Sequence, residues 1–133
     1  MKLAIVDDNK LEQELIFNTL RTYEHERNIS LDISSYSDGN SFLNTYVPGD
    51  FDLIFMDIYL NELNGIDIVR KIRQMDSKVM IVFLTTSKEY IFEAAPFHFF
   101  DYILKPFEST QIFHVLDDAL ALLPEQEAEL SFE

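Results

Sequence analysis

Five short apolar runs alternate with five segments of helical periodicity along this chain, and that alternation restricts the fold more than any other property. The runs are Leu3–Val6, Leu31–Tyr36, Leu53–Met56, Val79–Leu84 and Tyr102–Leu104. They are rich in Val, Ile and Phe and read as strands buried on both faces. Leu11, Leu15 and Leu20 mark a first helix over roughly residues 9–27. Phe42, Leu43 and Tyr46 mark a short second one, opened by Ser37-Asp38-Gly39. Ile66, Val69 and Ile72 recur at i, i+3, i+6 in a third, after Asn64-Gly65. Tyr90 to Ala95 suggest a short fourth helix, stopped before Pro96. Ile112, Val115, Leu116, Ala119, Leu120 and Leu123 outline the fifth. Strands and helices in this alternation make an α/β fold, a doubly wound parallel sheet of five strands with five helices.

For such a sheet the expected strand order is 2-1-3-4-5, the flavodoxin-like arrangement, with its switch point between strands one and three. Open α/β sheets place their sites beyond the carboxyl ends of the strands, at that point. Asp7 and Asp8 end the first run (KLAIVDD) and Asp57 ends the third (FDLIFMD). Thr85 ends the fourth (FLTTS), and Lys105 follows the fifth (DYILKP). Each like-charged pair about 4 Å apart costs roughly 4 kcal/mol at an effective dielectric near 20. Three acids in one crevice therefore make sense around a divalent cation. Mg²⁺ favours a few carboxylates, several waters and a phosphate oxygen.

Each residue also has an ordinary reading. Asp7 or Asp8 could cap the first helix, and Asp57 could sit in a plain strand-to-loop turn. Threonine is common in strands, and Lys105 could be a surface lysine. A cis bond to Pro106 would aim its ammonium inward, although cis is the minority form. The convergence of all three acids on the switch point favours a site.

A net charge of −14 over 133 residues argues against direct nucleic-acid binding, which needs a basic footprint. Without cysteines there is neither disulfide nor thiolate metal site. No signal peptide and no membrane-length apolar stretch is visible, so the expected location is the cytoplasm, with no membrane partner. His25, His98 and His114 lack a metal-ligand partner at useful spacing.

With these residues in order, the chain resembles a receiver domain of two-component response regulators. The matching elements are Asp7-Asp8 after strand one, MDIYL with Asp57, Gly65 eight residues beyond it, LTT with Thr85, and DYILKPF with Tyr102, Lys105 and Pro106. The resemblance covers residues 1–123. The stretch IVFLTTSKEYIFEA followed by DYILKPF is similar to receivers attached to LytTR-type DNA-binding domains. The resemblance implies that Asp57 accepts a phosphoryl group from a sensor histidine kinase. It implies that Asp8, Asp57 and the backbone carbonyl of Tyr59 bind Mg²⁺ (or Mn²⁺), with Asp7 acting through a bound water. Thr85 and Lys105 would hold the phosphoryl oxygens, and Tyr102 would be the aromatic that turns inward on activation. Such a domain is a phosphoacceptor with self-catalysed phosphorylation and dephosphorylation rather than an enzyme. Its output would be transcription through a DNA-binding domain outside this chain, or protein contacts made by a stand-alone receiver.

Departures from the family pattern are Asn61 in place of a common proline, Thr86 in place of a small residue, and Pro96 between helix four and strand five. Phe97, Phe99 and Phe100 are expected to form a partner surface with helix four and helix five, used for homodimerisation of the phosphorylated form. Tyr59 and Ser87 are expected to flank the path of a hydrolytic water. The stretch 124–133, PEQEAELSFE, reads as an acidic linker or disordered tail. A phosphatase of the haloacid dehalogenase type would need an acid two residues after the nucleophile, where this chain has Tyr59. FMN binding would need a phosphate-cradling loop after strand one, where this chain has DDNK.

Overall fold

The computed structural model describes residues 1–60 and 63–123. Asn61 and the stretch 124–133, expected to be an acidic tail, lie outside the described residues. The sheet comprises β1 (Lys2–Val6), β2 (Asp32–Tyr36), β3 (Leu53–Asp57), β4 (Met80–Thr85) and β5 (Asp101–Leu104). All pairings are parallel and the order is β2-β1-β3-β4-β5, as the alternation of strands and helices predicts. The helices are α1 (Lys10–Arg27), α2 (Gly39–Asn44), α3 (Gly65–Arg73), α4 (Ile91–Ala94) and α5 (Ser109–Ala121). Among the described residues no helix is long and apolar enough to cross a membrane.

Side chains alternate across the sheet, and each strand feeds two cores. Leu3, Ile5, Leu53, Phe55, Val82, Leu84 and Ile103 face one side, where Ile16, Leu20 and Tyr23 of α1 and Ile112, Val115 and Leu116 of α5 cover them. Ala4, Val6, Ile54, Met56, Ile81 and Phe83 face the other, under Phe42 of α2 and Ile66, Val69 and Ile72 of α3. Full burial of each such aliphatic or aromatic side chain contributes about 1.5–3 kcal/mol. The three central strands are buried throughout apart from the first residue of β1 and of β4. β2 departs from the expectation: it is an edge strand, and Asp32, Ser34 and Ser35 leave it partly exposed. Its short polar side chains suit the open flank of an edge strand, which still turns Ile33 to one core and Tyr36 to the other.

Short polar side chains start the helices. Asn9 accepts the Glu12 amide at 3.1 Å, Asp38 the Asn40 amide at 3.2 Å and Asn64 the Ile66 amide at 2.7 Å. Glu108 and Gln111 form a reciprocal capping box at α5. α4 is a single turn, continued by a 3₁₀ turn over Ala95–Phe97 that contains Pro96. Proline fits the first turn of such a helix but cannot prolong the one before it. His98 then takes a left-handed conformation with φ 58°. Arg73, at the end of α3, fixes this segment by donating to the carbonyls of Phe97 at 2.7 Å and His98 at 2.9 Å.

Candidate functional site

The carboxyl ends of β1, β3, β4 and β5 bring Asp7, Asp57, Thr85 and Lys105 to one crevice. The β1–β3 register pairs Val6 with Met56, so Asp7 and Asp57 emerge side by side. Pairing of Asp57 with Leu84 and of Thr85 with Leu104 carries the line across the sheet. The Lys105 amide donates to the Thr85 carbonyl at 2.8 Å, and the Lys105–Pro106 bond is cis.

Lys105 is the electrostatic centre. Its ammonium lies 3.1 Å from Asp7 Oδ2 and 3.7 Å from Asp57 Oδ1, with its side chain 8% exposed. It also donates to Glu12 Oε2. Burial alone would lower its pKa, but the Glu12 bond and the fields of Asp57 and Asp7 outweigh it and leave the pKa raised. Asp57 is pushed up to about 7, chiefly by burial, with the carboxylates of Asp7 and Asp8 adding to the rise and Lys105 opposing it. Burial likewise raises Asp7, against the Asn9 amide and Lys105.

Carboxylate oxygens of Asp7, Glu12 and Asp57 all lie within 4.8 Å of one another. An all-oxygen, multiply anionic group of this kind suits a hard divalent cation. Asp8 is partly exposed and is outside that group, yet near enough for its charge to raise Asp57.

Sequence reasoning did not single out Glu12. It sits in the first turn of α1, where an acid reads as complement to the helix dipole. The spacing Asn9-x-x-Glu12 was the available signal, because it puts this carboxylate one helical turn from the ends of β1 and β5.

Around the crevice, the Tyr59 amide donates to Asp57 Oδ1 at 3.2 Å, while its side chain reaches away. The Tyr59 ring meets Tyr90 edge-on at 5.5 Å, and its hydroxyl stands 3.4 Å from Glu89 Oε1. Thr85 is fully buried, and its hydroxyl accepts the Ser87 amide at 3.4 Å. Tyr102 is half-buried: its hydroxyl donates to the Ser87 carbonyl at 2.6 Å, and its ring lies against Phe83 and Phe99.

The three phenylalanines before β5 divide between the cores. Phe97 and Phe99 pack against the α2–α3 side and Phe100 against the α1–α5 side, each partly exposed. The open aromatic of this region is instead Phe92 on α4, which is 90% exposed. Its position in IFEA gave no hint of this, because an isolated turn has no apolar period to violate.

Comparison with known proteins agrees with this geometry. The profile of the response regulator receiver domain matches residues 3–117. The transcriptional regulatory protein YpdB of Escherichia coli (strain K12) is 31% identical over 127 residues, which are 96% of this chain and 50% of that protein. The sensory transduction protein LytR of Staphylococcus saprophyticus is 30% identical over 132 residues, 97% of this chain and 50% of that protein. The chain thus spans about half the length of the curated relatives it matches. The crystal structure of the response regulatory domain of protein mrkE from Klebsiella pneumoniae superposes with a TM-score of 0.77. It is 33% identical, and the match covers 91% of this chain and 96% of that one.

Proposed function

The chain belongs to the response regulator receiver domain family, and on that premise we propose that Asp57 is the phosphoacceptor of a two-component signalling pathway. A carboxylate oxygen of Asp57 attacks the phosphorus of a phosphohistidine on a sensor histidine kinase. A P–O bond forms to Asp57, the P–N bond breaks, and the departing imidazole regains a proton. The observation that carries this reading is the convergence of Asp57, Asp7 and Lys105 on one buried crevice at the switch point.

Phosphoryl transfer needs positioning and charge neutralisation more than covalent help. Lys105 pairs with the phosphoryl oxygens, and the Thr85 hydroxyl donates to one of them. Asp8 and Asp57, with the Tyr59 carbonyl, would hold Mg²⁺ or Mn²⁺, and Asp7 beside them would add to the negative field that favours the ion. Burial is the main cause of the rise at Asp57, and the carboxylates of Asp7 and Asp8 add to it; a dication would relieve both the burial of charge and this repulsion. When bound, that ion offsets charge on the equatorial oxygens.

The output face is the one formed by α4, β5 and α5, with Phe92 as its open aromatic and the partly exposed Phe97, Phe99 and Phe100 divided between the two cores beneath it. Engagement of Thr85 by a phosphoryl oxygen biases the β4–α4 loop and Tyr102, and so the packing of that face. Phosphorylated chains pair through it as homodimers. Residues 1–123 form the receiver. The length of the relatives supports an output domain, and the description of YpdB as a transcriptional regulator favours a DNA-binding one.

Intact-mass spectrometry after treatment with acetyl phosphate and Mg²⁺ tests the proposal. One phosphoryl group should be added, and none in Asp57→Asn or with chelator. An adduct that survives in Asp57→Asn would place the nucleophile elsewhere.

A further inference from the structure

Lys105 donates hydrogen bonds to two carboxylates, and neither belongs to Asp57. They are Asp7, at 3.1 Å, and Glu12. Asp57 Oδ1 stands at 3.7 Å, beyond hydrogen-bonding distance. An ammonium has three N–H donors, and the two carboxylates that hold it fix its nitrogen out of reach of Asp57, so they compete for its position with an acceptor arriving there.

The two holders differ in how readily they can let go. The Asp7 side chain is 1% exposed and that of Glu12 is 38% exposed. Releasing Asp7 would leave an unpaired buried carboxylate, which is costly. A released Glu12 would be met by water. A cavity of about 110 Å³ lies beside it, lined by Glu12, Leu15, Ile16, Lys105, Pro106 and Phe107, and gives the side chain room to turn. The backbone of Glu12 stays put, because Asn9 caps α1 through the Glu12 amide. Glu12 is therefore a movable carboxylate on a fixed mount.

We propose that Glu12 is a positioning residue that holds Lys105 away from Asp57 until a phosphoryl group on Asp57 displaces it. The inference rests on the phosphoacceptor reading above. A phosphoryl group carries more charge than a carboxylate and more acceptor oxygens, so it wins the exchange. The exchange still subtracts from the affinity of the site for that group, because one ion pair is broken as another forms. Loss of the Glu12 charge should thus make the site bind a phosphoryl mimic more tightly, by leaving Lys105 free.

The test is titration of the protein with beryllofluoride at saturating Mg²⁺, followed by fluorine NMR. Glu12→Gln should tighten binding about fivefold, the equivalent of about 1 kcal/mol, and Glu12→Ala should do the same. Glu14→Gln removes an acid from an exposed position two residues away and serves as the control for a general field effect. It should stay within about twofold of wild type, the scale expected of an exposed charge. A second readout needs no mimic: the Lys105 ammonium signal in nitrogen-15 spectra should move in Glu12→Gln. Equal affinity in Glu12→Gln and wild type overturns the proposal. So does equal tightening by Glu14→Gln, or an unmoved Lys105 signal. Failure of the wild type to bind beryllofluoride at all would instead sink the phosphoacceptor reading, and the role of Glu12 with it.

Discussion

Gly65 lies against the backbone of Asp57: a β-carbon at Gly65 would stand 2.1 Å from the Asp57 carbonyl oxygen. The Gly65 amide also donates to the Ile58 carbonyl at 2.8 Å, so α3 starts directly on the strand end that presents the phosphoacceptor. The clash is with backbone, which cannot rotate aside as a side chain can. Gly65→Ala should therefore cost about 1–3 kcal/mol, the usual range for forced overpacking, and lower the rate of phosphoryl acceptance. Urea denaturation together with acetyl phosphate kinetics checks both. A variant with the wild-type midpoint would show that α3 can slide on β3.

A pH dependence follows from Asp57. Its carboxyl is pushed up from 3.8 to about 7, chiefly by burial. Between those values the folded chain keeps a proton that the unfolded chain has lost. Stability therefore falls as pH rises through this window and levels off above about 7. Without divalent metal, Asp57→Asn should be more stable than wild type at pH 8 by on the order of 2–4 kcal/mol, and the gap should close toward pH 4. Denaturation in chelator at both ends of the window measures it. An advantage of the same size at pH 5 and pH 8 would contradict burial as the cause. Mg²⁺ affinity should rise with pH over the same range, since the metal competes with that proton.

Tyr59 bridges two loops at the mouth of the crevice, through Tyr90 at 5.5 Å and Glu89 at 3.4 Å. The residue is 43% exposed, and its backbone amide donates to Asp57 Oδ1 at 3.2 Å, so a change at this position acts beside the phosphoacceptor. Tyr59→Asn removes the bridge and supplies an amide able to orient water. The phosphoryl lifetime should shorten, by up to on the order of 10²-fold if a water gains about 1 Å in alignment. Following the decay of the phosphorylated species by intact mass decides it. A lifetime unchanged or lengthened in the variant would mean that Tyr59 shields nothing.

Tyr102 ties β5 to the β4–α4 loop through the Ser87 carbonyl at 2.6 Å. Tyr102→Phe keeps the ring against Phe83 and Phe99 and deletes only that bond. It should cost about 0.5–1.5 kcal/mol and reduce the dimer fraction induced by Mg²⁺ and beryllofluoride. Sedimentation of wild type and variant, each with and without beryllofluoride, provides the comparison. An equal shift in both proteins would take the Tyr102 hydroxyl out of the switch.

Much of this architecture was legible in the sequence, and the gaps have physical causes. The central strands could be read because both faces are buried, so LAIV, LIFM and IVFL carry no polar interruption. The charges that follow such runs, Asp7 after β1, Asp57 at the end of β3 and Lys105 after β5, marked the crevice. β2 was also read as a strand, but its exposure was not: at the edge of the sheet only Ile33 and Tyr36 reach the cores, and Ser34 and Ser35 lie partly open. Glu12 was passed over because its partner, Lys105, is 93 residues away and the Asn9-x-x-Glu12 spacing also fits an ordinary helix start. The three phenylalanines before β5 looked like one patch, yet the turn at His98 and the pleat of β5 send them to opposite sides of the sheet. Only the chain path settles which aromatic is left in the open.

The Arg73 clamp has a mechanical consequence. Its guanidinium pins the carbonyls of Phe97 and His98 to the end of α3, and so makes that point the pivot of the segment between β4 and β5. The other end of the segment is tied to the crevice itself, by Ser87 to Thr85 and Tyr102 and by the Tyr59 contacts. A displacement at Thr85 would therefore reach the segment at one end while Arg73 resists at the other, turning it about that point rather than shifting it whole. Phe92, open to solvent between the two anchors, would register the turn.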